Sequence, residues 1–231
     1  MGNVSGTPAK TPKMETLERW QGLIERSCGE IEPVDVSEDG LQIIFRVNGS
    51  MGLMIVADAL RAMAEPTPTY VSGGALRPLP MKKLTLYGPI VPDDDDDRDA
   101  DAVRRGVART APPPKHEFTD AAFRAFGAAV TTPGCGIVEC DIRGFRLDGM
   151  LGAALAQGAS AGLTHPKCEL AALRMWSCGI RDATAQIIVG IFSAVQVSWI
   201  FKELSMGDNP ITPEMRESLG QLQLSFQVRV F

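Results

Sequence analysis

The chain has 231 residues, 45% of them hydrophobic and 22% charged, a balance that excludes a disordered or fibrous class and leaves room for a substantial core. Its net charge of −5 has one source: seven aspartates between Asp93 and Asp101, with Arg98 among them, carry −6. The remainder is close to neutral, which excludes a long-range field for polyanions. Five cysteines with no C-x-x-C pair, behind no apolar leader, indicate free thiols in a reducing compartment.

Met1-Gly2-Asn3-Val4-Ser5-Gly6-Thr7 makes Gly2 a candidate N-myristoyl acceptor, although Gly6 occupies the position where Ser or Thr is preferred. Residues 1–13 read as a flexible arm, with Lys10 and Lys13 as a very small basic patch. Thr11-Pro12 opens an amphipathic helix with Leu17, Trp20 and Ile24 on one stripe and Gly29 as its stop. Residues 14–92 form the first half of the core. Val34 and Val36 alternate into Ser37-Glu38-Asp39-Gly40, and Leu41, Ile43, Phe45 and Val47 alternate out again, which predicts a hairpin. A mostly buried helix follows from Met51 to Ala64, with Met51, Met54 and Met63 as core fillers. Lys82 to Tyr87 is a short strand.

Residues 93–116 are an acidic and proline-rich connector. Like charges repel along it, and Pro112-Pro113-Pro114 cannot join a helix or a ladder. Its aspartates lack the D-x-D-x-D-G spacing of a calcium loop. Residues 117–231 make the second half. Thr119 or Asp120 caps a helix carrying Phe123 and Phe126, and Val138, Cys140 and Ile142 alternate with Glu139, Asp141 and Arg143 in a strand ended by Gly144. Leu151 to Leu163 suits a closely packed helix, and Thr164-His165-Pro166 begins another that extends through Trp176. Ala183 to Phe201 carries no charge, but its odd positions are apolar except at Ser193, so period two predicts a long or bent strand rather than a membrane span. Thr212-Pro213 opens a last short helix. Leu222, Leu224, Phe226, Val228 and Val230 then alternate with Gln221, Gln223, Ser225, Gln227 and Arg229 in a terminal strand, paired antiparallel with part of 187–201.

These elements add up to an α+β fold, a mainly antiparallel sheet packed with several short helices. No G-x-S-x-G, H-E-x-x-H, Walker loop or G-x-G-x-x-G is present. Cys135, Cys140, Cys168, Cys178 and His165 fit no common zinc spacing, and His116 and His165 stand at no catalytic spacing. The sequence therefore nominates no catalytic, cofactor-binding or metal residue.

The strand Leu41–Val47, the turn Asn48–Ser50, the helix Met51–Ala64 and the strand from Met81 to Val91 with Gly88-Pro89 resemble the core of rhabdovirus matrix proteins in order of elements. Pro112-Pro113-Pro114-Lys115 lacks the Tyr of a P-P-x-Y motif and Pro66-Thr67-Pro68-Thr69 is not P-T-A-P, so a plant-infecting branch is the closer resemblance. The resemblance implies a non-enzymatic structural protein of the virion, found in host cytoplasm or nucleus and peripheral to membranes. Its partners would be itself, the viral nucleocapsid protein and the inner membrane leaflet, with no cofactor. Two alternatives stay open: a capsid or nucleic-acid-associated subunit, and a small α+β enzyme or ligand-binding domain using Cys140 or Cys168.

Overall fold

The computed structural model describes residues 11–14, 18, 20, 21, 25, 27–64, 81–89 and 117–231. Gly2, the connector 93–116 with His116, and the proline turns near 66–68 lie outside these residues. Within them the chain runs β1 (Ile31–Val36), β2 (Gln42–Val47), α1 (Ser50–Ala64), β3 (Lys83–Tyr87), α2 (Asp120–Val130), β4 (Glu139–Arg143), α3 (Met150–Leu163), β5 (Ala172–Trp176), α4 (Asp182–Ser193), β6 (Glu203–Ser205), α5 (Pro213–Gly220) and β7 (Gln227–Arg229).

All seven strands lie in one sheet, and their order in space is their order along the chain. The expected hairpin is there: β1 and β2 pair antiparallel, with Gly40 taking the positive φ of 69° that the turn requires. Every later pair, from β2–β3 to β6–β7, is parallel. The sheet is thus predominantly parallel and the fold is α/β, which corrects the expectation of a mainly antiparallel sheet. The reason is the run 182–193. It is the helix α4, whose buried Thr184, Ala185, Ile188, Val189 and Phe192 recur at helical spacing. Exposed Ile187 and partly buried Ile191 filled the odd positions and imitated a strand. With α4 misread, the alternation of strand and crossover helix that parallel pairing needs was hidden.

Two further corrections follow from the same geometry. Residues 164–176 are a turn followed by β5, with no helix between them. The terminal strand is only three residues long and pairs parallel with β6 instead of antiparallel with 187–201; Gln221 caps α5. Met51 and Met54 are also not core fillers, being 61% and 43% exposed on the outer side of α1.

The register is continuous. Ile43, Leu84, Cys140, Leu173, Leu204 and Val228 form one row across the sheet, and Phe45, Leu86, Ile142 and Met175 form a second, two residues on. Both rows point into the core, where all of these but the partly buried Val228 are sealed from solvent. Trp20 closes the first end of that core, its ring 4.8 Å from Phe45. Because the order of parallel strands never reverses and crossovers share one hand, the helices must all lie on the same face of the sheet. Each helix accordingly packs on the next, α1 on α2, α2 on α3, α3 on α4 and α4 on α5.

The tightest of these contacts is α2 on α3. A Cβ on Gly127 would stand 2.4 Å from the Leu155 carbonyl oxygen, and one on Gly158 would stand 2.1 Å from that of Arg124. Helix starts are tied to one another by polar locks. The Ser50 hydroxyl accepts from the Thr119 N–H at 2.8 Å and donates to the Glu117 carbonyl at 2.9 Å. The Thr184 hydroxyl donates to Asp148 at 2.6 Å, and Asp182 accepts from both the N–H and the hydroxyl of Thr212. Thr119 and Thr212 also cap their own helices. Strand, loop and helix therefore recur as one unit, stacked on its neighbours in the manner of a solenoid.

Candidate binding face

A parallel sheet is ordinarily covered on both faces. Here the helices occupy one, and the other carries the side chains that alternate with the core rows. Two rows cross it from β2 to β7 and a third from β2 to β5. The first is Gln42, Lys83, Glu139, Ala172, Glu203 and Gln227. The second is Ile44, Thr85, Asp141, Arg174, Ser205 and Arg229. The third, nearest the strand ends, is Arg46, Tyr87, Arg143 and Trp176, with Phe231 stacked on Trp176 at 5.9 Å between ring centroids.

The charged members interlock. Arg174 stands at the centre, its Nε 2.9 Å from Glu203 and one terminal nitrogen 2.8 Å from Glu139 and 3.3 Å from Asp141. Lys83 lies 3.3 Å from Asp141 and 3.6 Å from Glu139. Arg143 reaches Asp141 at 3.4 Å and Arg229 reaches Glu203 at 3.8 Å. A central aspartate met by three cations anchors a charged network that runs across five strands, β3 to β7. Burial works against the charge of Arg174, but its hydrogen bonds to Glu203 and Glu139 outweigh that and raise its pKa above the ordinary guanidinium value. The reciprocal bond from Arg174 holds the Glu139 carboxyl below the usual range.

The layering of this face matters more than its sum of charge. The Asp141 side chain is only 2% exposed, whereas those of Arg143 and Arg229 are 41% and 45% exposed. Asp141 and Glu203 are sunk in the network, whereas Glu139 is 39% exposed and stands at its surface with Arg143 and Arg229. Between these tall side chains, Thr85 and Ser205 are short and buried, and neither hydroxyl has a hydrogen-bond partner in the protein.

The residues singled out from sequence do not converge. Cys140 lies in a core row, Cys178 behind β5, and Cys135 and Cys168 in buried loops. Burial raises all four thiols, Cys135 to about 11 and Cys178 to about 12, which opposes nucleophilic use. His165 is exposed in the turn after α3, its Nδ1 accepting from the Lys167 N–H. Among the described residues no His, Cys, Asp and Glu group has the arrangement of a metal site, and no helix is long and apolar enough to cross a membrane.

No family model matches the chain, and no curated protein matches it. The face itself is what sequence reasoning missed. Its signal was a recurring pattern: Cys140, Ile142, Phe145 and Leu147 line up with Leu173, Met175, Cys178 and Ile180, and with Leu204, Met206, Asn209 and Ile211. That alignment places Asp141, Arg174 and Ser205 in register.

Proposed function

We propose that this chain is a non-enzymatic binding module whose working surface is the helix-free face of its sheet, and that its partner is a protein. One observation carries the reading: a parallel sheet that no described helix covers on one side, with a charged network laid across it in register. The unreversed strand order supports it too. Open α/β enzymes place ligands in the crevice where strand order reverses, and this sheet runs from first strand to last without that break. Stacked units that present a long continuous face suit recognition of extended or folded surfaces.

A virion shell protein of the matrix kind is a specific version of the same reading. It would use such a surface for self-association and for the nucleocapsid protein. The order β2, turn, α1, β3 supports it, and its contact with an inner membrane leaflet would rest on Gly2.

The test is affinity capture with the full chain and two variants. Arg174→Glu with Trp176→Ala alters the open face, and Arg124→Glu with Gln157→Lys alters the helix side. Partners, or self-association measured by sedimentation, are expected to be lost in the first variant and kept in the second. The reverse pattern, with both variants folded, overturns the proposal.

A further inference from the structure

We infer that the free edge of β7 is a docking site for a second copy of this chain, the two terminal strands pairing antiparallel about Val228 so that two seven-stranded sheets become one. The inference goes beyond the open-face reading and uses a different surface.

The two edges of the sheet are unequal. β1 is one edge, and it suits a further strand poorly: Pro33 has no N–H to offer, and the register shifts between Pro33 and Asp35. β7 is the other edge, and among the described residues no strand lies beyond it. Its bonds to β6 use alternate residues. The Gln227 N–H donates to the Lys202 carbonyl at 2.8 Å, and the Arg229 carbonyl accepts from the Met206 N–H at 2.8 Å. The N–H and C=O of Val228, between them, therefore point away from β6. A residue with both groups on a free edge can sit on a two-fold axis, donating to and accepting from its own counterpart.

The side chains agree with that register. It sets Gln227 opposite the partner's Arg229, in the closer, non-hydrogen-bonded positions of the ladder. This strand already makes a guanidinium–carboxamide pair within itself, Arg229 donating to Gln227 Oε1 at 3.1 and 3.0 Å. No like charges are opposed. On the core side Val228 meets its counterpart and Phe226 meets the partner's Val230, apolar on apolar.

That side also needs a cover. Ile43, Leu84, Cys140, Leu173 and Leu204 in the same core row are sealed, whereas Val228 is only partly buried, as are Leu224 and Val230. An unrelated strand would have to supply the alternation and a tolerable group opposite Arg229; a second copy brings both by symmetry. Pairing uses up both free edges, so association stops at two. The axis stands normal to the sheet, which leaves both open faces on the same side.

Sedimentation of the full chain at rising concentration tests the inference, with urea midpoints reporting that each variant is folded. A monomer–dimer equilibrium is expected. Val228→Pro removes the outward N–H and spares the β6 ladder, so it should weaken the dimer at least about 10-fold. Gln227→Arg gains Glu203 as its neighbour on β6 but opposes like charges at two symmetric positions, and about 3- to 10-fold weakening is expected. Gln227→Arg with Arg229→Gln exchanges the pair and should restore the dimer. A monomer at every concentration overturns the inference. So does a dimer that folded Gln227→Arg leaves unchanged, one that the exchange fails to restore, or association lost only in the open-face variants. Failure of partner capture by the open face would sink that reading and leave this pairing standing.

Discussion

The Asn209 carboxamide holds the loop of Cys178 from the next rung of the sheet. Its Oδ1 accepts from the Cys178 N–H at 2.8 Å and the Ile180 N–H at 3.1 Å. Its Nδ2 donates to the carbonyls of Met175 at 2.8 Å and Gly207 at 2.9 Å. All four hydrogen-bonding positions of one buried amide are filled. Asn209→Ala would strand the Cys178 and Ile180 N–H groups in the core, and a loss of about 2–4 kcal/mol is expected. Urea unfolding of the two proteins measures it. A loss under about 0.5 kcal/mol would mean the loop is held by its packing alone.

Two glycines in neighbouring helices should respond with opposite sign. Gly158 lets α3 approach α2 so closely that an added methyl would overlap the Arg124 carbonyl, so Gly158→Ala should destabilise by at least about 1–3 kcal/mol. A Cβ on Gly190, mid-way through α4, meets nothing within 4 Å. Gly190→Ala should therefore stabilise by about 0.5–1 kcal/mol, through helix propensity alone. Thermal or urea midpoints decide the pair.

Acid should weaken the network on the open face before it weakens the core. The hydrogen bond from Arg174 keeps Glu139 below its ordinary value of 4.5 in the folded chain. A depressed folded pKa contributes stability above the unfolded value, and that stability is lost as pH falls through the folded one. Glu139 is partly solvated, so the contribution is below about 1 kcal/mol. Arg174→Met should lower the urea midpoint at pH 7, and the gap from wild type should narrow by pH 3. A gap independent of pH would assign the effect of Arg174 to packing of its stem.

Thiol chemistry gives a local readout of opening. Cys28 is exposed, and the other four cysteines are buried. Alkylation at pH 7.5 is expected to label Cys28 within the mixing period and the other four at the rate of unfolding. Fast labelling of Cys140 or Cys168 in the native chain would revive a cysteine-based activity.

What could be read from the chain divides along physical lines. The β1–β2 hairpin, α1, the Thr119 cap, β4 and the close-packed α3 all declared themselves through turn residues, caps and period. Those signals are local. The α4 segment defeated the period argument because its outward face carries Ile187 and Ile191 in place of charge, so a helix and a strand left the same trace in an uncharged run. The terminal alternation failed for a related reason: Leu222 is exposed beside α5, and only Gln227 to Arg229 pairs. The open face was beyond local reading, because Asp141, Arg174 and Ser205 become neighbours only through parallel register. The spaced recurrence of Ile142–Leu147, Met175–Ile180 and Met206–Ile211 would have shown it, since a repeat of that length signals stacked strand-helix units.

The polar locks between helix starts make this chain behave as a row of coupled links. Each of Ser50–Thr119, Thr184–Asp148 and Asp182–Thr212 ties one link only to the next. Melting can therefore creep inward from β7, whose three residues are the last to be clasped, while the links around α2 and α3 hold. Cutting the Asp182 tie would shorten the ordered array by its final link and leave Arg174 and Asp141 standing.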